Sequence, residues 1–323
     1  MMLRDRVLHL LEQNRGQVVT GGELAKLLSV SRTAVWKAIR ALRDGGNEIE
    51  SLSNSGYRLA EESDGLSRQS IVDALRTDYF GREIEVLPTV QSTNQYLNSL
   101  DVGSLREGYT VLADEQTEGR GRLGRTFFSP AREGVYFSVL LKPRISLSDI
   151  RFVTICAAVA VCRALEVTCG MKPGIKWVND IYLDGKKLCG ILTEAFVSAE
   201  MSSIGHVVVG VGLNTGRVAP EVADIATSVY EAAHARGFRN RLTAEILNQF
   251  EPIYMGYTLN GNKEEILGAY SERLFVIGRQ AEVGEPGASY TASILGVDDC
   301  GGLLVEREDG EVFSVRSGEI KLI

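Results

Sequence analysis

The chain has 323 residues, of which 44% are apolar and 24% charged. A chain of this length and composition can bury a sizeable core, and we expect it to divide into two or three domains rather than to be disordered. The net charge of −7 is unevenly distributed. Residues 1–60 carry nine Lys and Arg against six Asp and Glu, a net of +3, while the remainder carries 26 against 36, a net of −10. The positive charge is concentrated where a polyanion would bind.

The sequence predicts neither a membrane-spanning helix nor a signal peptide. The run at residues 204–213 is interrupted by three glycines and a histidine and falls short of the roughly 20 residues that cross a bilayer. The N-terminus carries Arg4, Asp5 and Arg6 and lacks the apolar core and cleavage site of a signal peptide. We therefore expect a cytoplasmic protein with no membrane partner.

Cysteine and histidine usage disfavours disulfides and metal centres. The five cysteines contain no CxxC pair, and their odd number fits reduced thiols. The three histidines, His9, His206 and His234, are scattered along the chain, which disfavours a zinc site and a histidine-based catalytic triad. We assign no metal-ligating residues.

The first 60 residues have the pattern of a winged helix-turn-helix. Thr20 and Glu23 form a capping-box sequence ahead of an apolar helical run. A turn at residues 29–31 leads into a second helix, expected at residues 31–43. Residues 49–59, with a turn at 54–56, predict the hairpin of the wing. We predict a DNA-binding domain over residues 1–62.

The helix expected at residues 31–43 has two different faces. Apolar residues at positions 35, 38, 39 and 42 share one face, and Thr33, Lys37 and Arg40 lie on the other. In a helix-turn-helix the polar face enters the major groove. The DNA contacts that we predict come from Ser31, Arg32, Thr33, Trp36, Lys37 and Arg40. The alternative is that these charges only solvate an exposed helix, which is the commoner role of surface charge.

The rest of the chain predicts a larger α+β domain and a small β-domain. After a polar linker at residues 60–66, strands and helices interleave without a regular strand-helix-strand repeat, so we predict a mixed sheet over residues 66–272. Strands are expected at residues 110–113, 134–141, 188–194 and 206–211, and helices at 92–100, 149–165 and 243–258, with an earlier helix carrying Ile71, Leu75 and Phe80. Over residues 273–323, apolar residues alternate between Gly and Asp turns, which predicts a small β-barrel.

The most informative stretch is EGRGRLGR at residues 118–125, followed by TFFSP at 126–130. Three glycines allow the backbone to approach a ligand closely, and three arginines supply forked donors for phosphate or carboxylate oxygens. We predict a flexible loop that grips an anion. A disordered RNA-binding tail has a similar composition, but this loop lies between two apolar strands. No GxxxxGK[ST] motif occurs, so nucleotide binding requires another architecture.

A second polar stretch, KWVND at residues 176–180, precedes a lysine-containing turn and the apolar strand KLCGI at residues 187–191. Lys187 begins this strand, where burial and neighbouring oxygens can direct it at a carboxylate or phosphate. From this segment alone, a surface hairpin with solvated lysines is an equal alternative.

Together these segments resemble the signature sequences of biotin protein ligases. The resemblance rests on GRGRLGR at residues 119–125, FSP at 128–130, KWVND at 176–180 and KLCGI at 187–191, in the family's order and spacing. With the winged helix in front, nearly the whole chain resembles the bifunctional bacterial form, a ligase and biotin operon repressor in one. Val178 replaces the usual proline, and Leu123 replaces an arginine of some members. Neither departure changes the assignment.

The resemblance implies a biotin/lipoate ligase fold with an SH3-like C-terminal barrel, and a two-step reaction. Biotin and MgATP give biotinyl-5'-AMP and pyrophosphate, and the adenylate then passes biotin to one lysine of a biotin carboxyl carrier domain. The implied ligands are therefore ATP, Mg²⁺ and biotin. The implied repressor is a homodimer that binds palindromic operator DNA when it holds the adenylate.

The resemblance also implies a role for individual residues. Biotin is expected to contact Ser92, Thr93, Asn94, Gln116, Arg120, Gly121, Arg122 and Lys187. The nucleotide is expected to contact Arg120, Arg122, Arg125, Phe127, Asn179, Gly190 and Asn214. The expected catalytic residues are Lys187, Arg122 and Asp180. Lys187 would stabilise the carboxylate and then the phosphate, and Asp180 would accept the proton of the incoming lysine.

Two alternatives stay open at the level of the sequence. A lipoate or octanoate ligase shares the architecture and the lysine, although the glycine-arginine loop favours biotin. A non-catalytic repressor that only senses a ligand would share the winged helix, although Lys187 and the arginine loop favour chemistry. Release of pyrophosphate that depends on the acid supplied, and biotinylation of an acceptor, separate these alternatives.

Overall fold

The structure is a computed structural model that describes residues 2–52, 55–61, 63–198, 203–230, 237–285 and 288–323. The N-terminal domain consists of helices α1 (Leu3–Gln13), α2 (Gly21–Leu28) and α3 (Arg32–Asp44) and the hairpin strands β1 (Ile49–Leu52) and β2 (Gly56–Leu59). This confirms the predicted winged helix-turn-helix. Asn54, in the predicted turn of the wing, lies outside the described residues.

The N-terminal domain is stabilised by its own caps and its own core. Thr20 Oγ1 accepts a hydrogen bond from Glu23 N at 3.1 Å, and Glu23 Oε2 accepts one from Thr20 N at 2.8 Å, so the predicted capping box is present. Ser31 caps α3 by accepting from Ala34 N at 3.1 Å. The buried residues of the three helices form an apolar cluster separate from the main core, so this domain packs around a core of its own.

The central domain is a mixed sheet flanked by helices. In chain order its elements are α4 (Arg68–Ala74), β3 (Ile84–Val90), α5 (Thr93–Ser99), β4 (Thr110–Gln116), β5 (Gly134–Leu141), α6 (Ile150–Cys169), β6 (Gly174–Lys176), β7 (Asp180–Leu183), β8 (Lys186–Ser198), β9 (Ser203–Asn214), α7 (Phe238–Asn260) and α8 (Lys263–Ser271). Within the described residues, the strand order is β3-β4-β5-β9-β8-β7-β6. Strands β3 and β4 are parallel, and the other neighbours are antiparallel. The predicted mixed sheet is confirmed.

Strand β5 lies in the middle of the core. All eight of its residues are buried, because apolar groups cover both faces of the sheet at this position. Phe137 and Val139 face the main core, which α6 and α7 complete. On the other face, Leu140 packs with Leu97 of α5 in a smaller cluster. A strand buried on both faces is an unbroken apolar run rather than an alternating one.

Helix α6 is long and apolar enough, together with the turn before it (Leu147–Cys169), to cross a bilayer by length and composition alone. Arg151, Arg163 and Glu166 interrupt its sequence, so it forms no continuous apolar run of that length. In the structure, 72% of its most apolar stretch is buried inside the protein, and α6 packs on α7 and the sheet. Its hydrophobicity is therefore that of a core helix.

The expected helix through Ile71, Leu75 and Phe80 is shorter than predicted. Helix α4 ends at Ala74, and Leu75 has an extended backbone with φ −73° and ψ 136°. The N–H groups of residues 78–80 donate to the Glu251 carboxylate at 2.6 to 2.8 Å instead of continuing a helix. A tertiary contact from α7 thus outweighs the local pattern. Strands β3, β6 and β7 and helix α8 were not predicted.

The C-terminal domain is an antiparallel β-structure, as predicted. Its strands are β10 (Gln280–Glu285), β11 (Ala288–Val297), β12 (Leu303–Glu306), β13 (Val312–Val315) and β14 (Glu319–Leu322), in the spatial order β13-β12-β11-β10-β14. This arrangement is consistent with an SH3-like barrel. Its apolar residues join the main core, and Trp177 Nε1 donates to Gly301 O at 3.0 Å. The C-terminal domain is therefore fixed against the central one, next to the cavity described below.

Candidate active site

The residues predicted from the motifs meet in one cavity of about 110 Å³. The cavity lies where α5 begins, β4 ends and residues 120–127 fold over β8 and β9. The predicted residues that line it are Ser92, Thr93, Asn94, Gln116, Arg120, Gly121, Arg122, Arg125, Phe127, Asn179, Asp180, Lys187 and Gly190. Side chains from distant parts of the sequence thus share one small volume, which is the arrangement expected of a binding or catalytic site.

The start of α5 supplies one polar wall of the cavity. Ser92, Thr93 and Asn94 are each no more than 3% exposed. Gln116 Oε1 accepts hydrogen bonds from Thr93 N at 2.9 Å and Thr93 Oγ1 at 3.0 Å. The Asn94 amide donates to Glu194 Oε2 at 2.7 Å. These bonds fix the wall before any ligand binds.

Glycines make room for the aromatic ring of Phe127 and the amide of Asn94. A Cβ at Gly212 would lie 2.6 Å from Phe127 Cε1, and one at Gly210 would lie 2.2 Å from Asn94 Oδ1. Any larger residue at either of these two positions would displace the groups that line the cavity. The glycines of β9 therefore act by leaving space.

Residues 119–128, which we call the flap, close the cavity with charged contacts. Arg122 donates to Asn179 Oδ1 at 3.1 Å and to Gly318 O at 3.2 Å. Arg125 forms an ion pair with Glu319. The flap therefore bridges the central domain and β14 of the C-terminal domain. Its guanidinium groups are held near the cavity by contacts that an anionic ligand could replace.

Lys187 and Asp180 form an ion pair inside the cavity. Lys187 Nζ lies 2.8 Å from Asp180 Oδ1, and the two side chains are 35% and 23% exposed. This carboxylate oxygen is buried and, among the described residues, has no hydrogen-bond donor besides that ionic partner. Nearby, burial lowers the pKa of Lys176. Lys187 and the three arginines of the flap outnumber the carboxylates of Asp180 and Glu319 around the cavity, which suits a carboxylate or phosphate ligand.

A second cavity of about 210 Å³ adjoins the first and shares Thr126, Phe127 and Lys187 with it. Its lining is more apolar and includes Val222 and Ile225. Asn214, which was predicted to contact a nucleotide, lies here and not in the first cavity. Its amide donates to Thr227 O at 3.0 Å. The two cavities together form a polar chamber beside an apolar one, with the Phe127 ring between them.

Four polar residues that position the predicted ones were missed: Gln95, Ser138, Glu194 and Glu319. Ser138 Oγ lies 2.7 Å from Thr93 Oγ1. With the Gln95 amide oriented to satisfy both groups, its oxygen accepts from Arg120 Nη1 at 2.9 Å. Only Gln95 gave a signal, since it follows Asn94 directly. The others sit in strands whose sequences show no motif.

The predicted DNA-binding residues all lie on the outer face of α3. Ser31, Arg32, Thr33, Trp36, Lys37 and Arg40 are exposed. The Arg40 guanidinium lies 5.9 Å from the centre of the Trp36 ring. The helix thus presents a cationic and aromatic surface, of the kind that contacts phosphates and base edges.

Comparison with known proteins identifies the same DNA-binding domain and the same central domain. Residues 86–214 match the biotin/lipoate A/B protein ligase family, and residues 4–58 match an HTH domain. The chain is 34% identical over 324 residues to the bifunctional ligase/repressor BirA of Bacillus subtilis, covering 99% of this chain and 98% of that protein. It is 30% identical to the bifunctional ligase/repressor BirA of Escherichia coli, covering 95% of this chain and 94% of that one.

The fold is similar to a solved biotin protein ligase. The structure of that protein from Aquifex aeolicus, in complex with biotin and ATP, has a TM-score of 0.64 and 28% sequence identity. The similarity covers 75% of this chain and 99% of that one. The relatives that match almost the full length of this chain are thus ligases that are also repressors.

Replacing Glu319 by Gln is expected to loosen the flap. The change removes the charge that holds Arg125, and an exposed ion pair of this kind contributes roughly 0.2 to 1 kcal/mol. The corresponding shift in flap opening is about 1.4-fold to fivefold, because 1.4 kcal/mol is a factor of ten. Limited trypsin digestion, followed by mass spectrometry of cuts at Arg120, Arg122 and Arg125, measures it.

The matched control is Glu311→Gln, which removes a similar exposed pair with Arg307, and neither residue of this pair lines the cavity. Cleavage in the flap should be unchanged in this variant. Equal rates of flap cleavage in E319Q and the unmodified protein would show that the ion pair with Glu319 does not hold the flap.

Proposed function

The chain belongs to the family of bifunctional biotin ligase/repressors, and on this premise we propose how its site carries out the reaction. The protein is an ATP-dependent biotin protein ligase that forms biotinyl-5'-AMP and transfers biotin to a carrier lysine, and its N-terminal domain represses transcription. Curated relatives are named as biotin ligases, which favours biotin over the lipoate alternative.

The observation that carries the assignment of roles is the gathering of Arg120, Arg122, Arg125 and Lys187 around one small cavity. Joining a carboxylate to a nucleotide brings two anionic groups together, and fixed cations offset their repulsion. The polar chamber suits the biotin ring and carboxylate, and the adjoining apolar chamber suits the adenine. In this arrangement the carboxylate and the α-phosphate meet between the flap and Lys187.

In the first step, a carboxylate oxygen of biotin attacks the α-phosphorus of ATP. A new P–O bond forms, the bond between the α-phosphorus and the bridging oxygen breaks, and pyrophosphate leaves. Lys187 moves from Asp180 to the carboxylate and then to the phosphate, where negative charge accumulates. Ser92, Thr93, Asn94 and Gln116 hold the ring system, and Gly121 lets the flap backbone approach.

In the second step, the ε-amine of the acceptor lysine attacks the carbonyl carbon of the mixed anhydride. A C–N bond forms, AMP leaves with the bridging oxygen, and the amine loses a proton. Asp180 is placed to receive that proton, because its carboxylate faces the cavity and becomes free when Lys187 turns to the ligand. Asn179 orients Arg122 through its amide oxygen.

The oxygen donors of the cavity fit a magnesium ion that arrives with ATP. Asp180 has a buried carboxylate oxygen, with Lys187 as its ionic partner, and Mg²⁺ in nucleotide sites is held by one or two carboxylates together with the phosphates. Asp180 would be its protein ligand, although the motifs alone led us to assign no metal-ligating residue. The ion would neutralise charge on the phosphates.

The N-terminal domain gives the protein its second activity. The outward face of α3 is expected to lie in the major groove of operator DNA, with the hairpin as the wing. Reading a palindrome requires two copies, so we propose a homodimer that forms when the adenylate is bound. A cytoplasmic location follows from both partners, the carrier domain and DNA.

Replacing Lys187 by Gln is expected to lower the rate of biotin-dependent pyrophosphate release by at least about a hundredfold, the loss typical of removing one preorganised donor to a charged transition state. Lys172→Gln, at an exposed lysine outside the cavity, is the control and should keep its rate. Unimpaired release by K187Q would contradict the role given to Lys187.

Replacing Arg122 by Gly should let the adenylate escape. This removes the contacts to Asn179 and Gly318 that hold the flap closed, so activated biotin would label lysines of an unrelated bystander protein. Mass spectrometry of the bystander measures the labelling, and Arg106→Gly, at a side chain 86% exposed, is the control. Unchanged selectivity for the acceptor lysine would overturn the retention role of the flap.

Replacing Lys37 by Ala should weaken binding to a mixed-sequence duplex and lower the salt dependence of binding by about one unit of slope, as expected for one lost phosphate contact. Fluorescence anisotropy over a range of salt concentrations gives both values. An unaltered slope would mean that Lys37 only solvates the helix.

A further inference from the structure

We infer that Arg239, near the start of α7, couples ligand binding in the cavity to the position of the DNA-binding domain. This inference rests on the proposed function, since it concerns how the adenylate site and the repressor domain communicate. Its basis is a group of buried contacts outside the cavity that neither the sequence motifs nor the proposed reaction explains.

Arg239 is the most deeply buried cation in the described part of the chain, with a side chain 2% exposed. Its Nε donates to Asp64 Oδ2 at 2.9 Å, and its Nη2 donates to Asp64 O at 2.6 Å. Its Nη1 donates to Asp114 Oδ1 at 2.5 Å. One guanidinium therefore joins two carboxylates. Asp64 lies in the linker from the DNA-binding domain, and Asp114 lies on β4.

The next residue, Asn240, also forms hydrogen bonds with the linker. Its Nδ2 donates to Gly65 O at 3.0 Å, and its Oδ1 accepts from Ser67 N at 2.9 Å. On its other side the linker touches the DNA-binding domain, since a Cβ at Gly65 would lie 2.2 Å from Asn47 Oδ1. Residues 64–67 are thus held between the first turn of α7 and the turn that joins α3 to β1, although their composition predicts a loose linker.

Asp114 connects the contacts of Arg239 with the linker to the ligand site. It lies two residues before Gln116, whose side chain binds Thr93 in the cavity wall. The flap leaves the sheet after Gln116 and returns where Gln116 N donates to Ser129 O at 3.0 Å. Asp114 Oδ1 also accepts from Arg132 N at 3.3 Å. The carboxylate that pairs with Arg239 therefore stands where the two ends of the flap meet.

Arg132 links the loop after the flap to the end of α3 in the DNA-binding domain. Its φ of +67° is a left-handed backbone conformation that residues with a Cβ disfavour. Its guanidinium lies against Gly46, just after α3, since a Cβ at Gly46 would be 3.0 Å from Arg132 Nε. The loop that closes the flap thus touches the DNA-binding domain directly, beside the contact made by the linker.

These contacts make the linker and β4 move together. Loss of either carboxylate would take charge-assisted hydrogen bonds from a buried guanidinium, and such bonds are roughly twice as strong as neutral ones. A ligand that keeps the flap closed therefore also holds Asp114, Arg239 and the linker in place. Such coupling is reciprocal between the two sites, and coupling of this kind typically amounts to a factor of about 5 to 150.

Hydrogen-deuterium exchange of the full-length protein, with and without biotin and ATP, tests this. In the unmodified chain, biotin and ATP should slow exchange in the flap and also at residues 64–67 and 42–47. Asp64→Asn leaves Arg239 paired with Asp114 and leaves no carboxylate buried alone. In this variant the slowing at residues 42–47 should fall by about fivefold or more, while the slowing in the flap persists.

Arg132→Gly is the second variant, because glycine accepts the left-handed backbone and only the contact with Gly46 is lost. The slowing of exchange at residues 42–47 should weaken in this variant, and the slowing at residues 64–67 should persist, because the contacts of Arg239 with Asp64 and Asp114 are intact. Asp73→Asn, at an exposed position of α4, is the control and should match the unmodified chain. Thermal melting of each variant separates loss of coupling from unfolding.

The possible results are distinct. The coupling is overturned if biotin and ATP slow hydrogen exchange at residues 42–47 as strongly in D64N and R132G as in the unmodified chain. Slowing confined to the flap of the unmodified chain overturns it as well, and leaves the proposed function intact. If biotin and ATP slow nothing in the flap of the unmodified chain, the proposed function fails, and this inference fails with it.

Discussion

The function of this molecule depends on holding several positive charges next to one another in a small, partly closed cavity. Lys187 and the arginines of the flap would repel one another if they were unpaired. Asp180, Glu319 and the carbonyl oxygen of Gly318 offset that repulsion. These contacts are partly exposed and individually weak, so an anion with several oxygens can replace them. The same charges then oppose the release of the anion.

The fold supplies this arrangement by bringing together separate parts of the chain. Glycines on strands β8 and β9 leave room for the ring of Phe127 and for the ligand. Helix α5 presents a fixed polar wall. The C-terminal domain closes the third side with β14, which would otherwise have no part in the chemistry. Because that domain shares the main core, its contact with the flap has a fixed geometry.

Much of this could be predicted from the sequence, and the exceptions have physical reasons. The winged helix, the mixed sheet, the flap and Lys187 were predicted, because capping residues, long apolar strands and glycine-arginine spacing are local signals. The predicted end of α4 was wrong because Glu251, far along the chain, accepts hydrogen bonds from the N–H groups of residues 78–80. Glu319 was missed for the same reason, since its role depends on tertiary contact.

The buried charges around Arg239 were also beyond sequence reasoning. An arginine that begins a helix is usually exposed, and the linker composition of residues 60–66 predicts no fixed partner. Only the packed structure places Asp64 and Asp114 on one guanidinium. Sequence patterns therefore identify the groups that do the chemistry more readily than the groups that transmit it.

Native mass spectrometry of the full-length protein, incubated with biotin, ATP and Mg²⁺ and without an acceptor, is the most direct test of the cationic cavity. The account expects one mixed anhydride of biotin and AMP retained on each chain, with one pyrophosphate released for each. Chains that release pyrophosphate but hold no anhydride, or that form none, would contradict the claim that these charges make the adenylate and keep it.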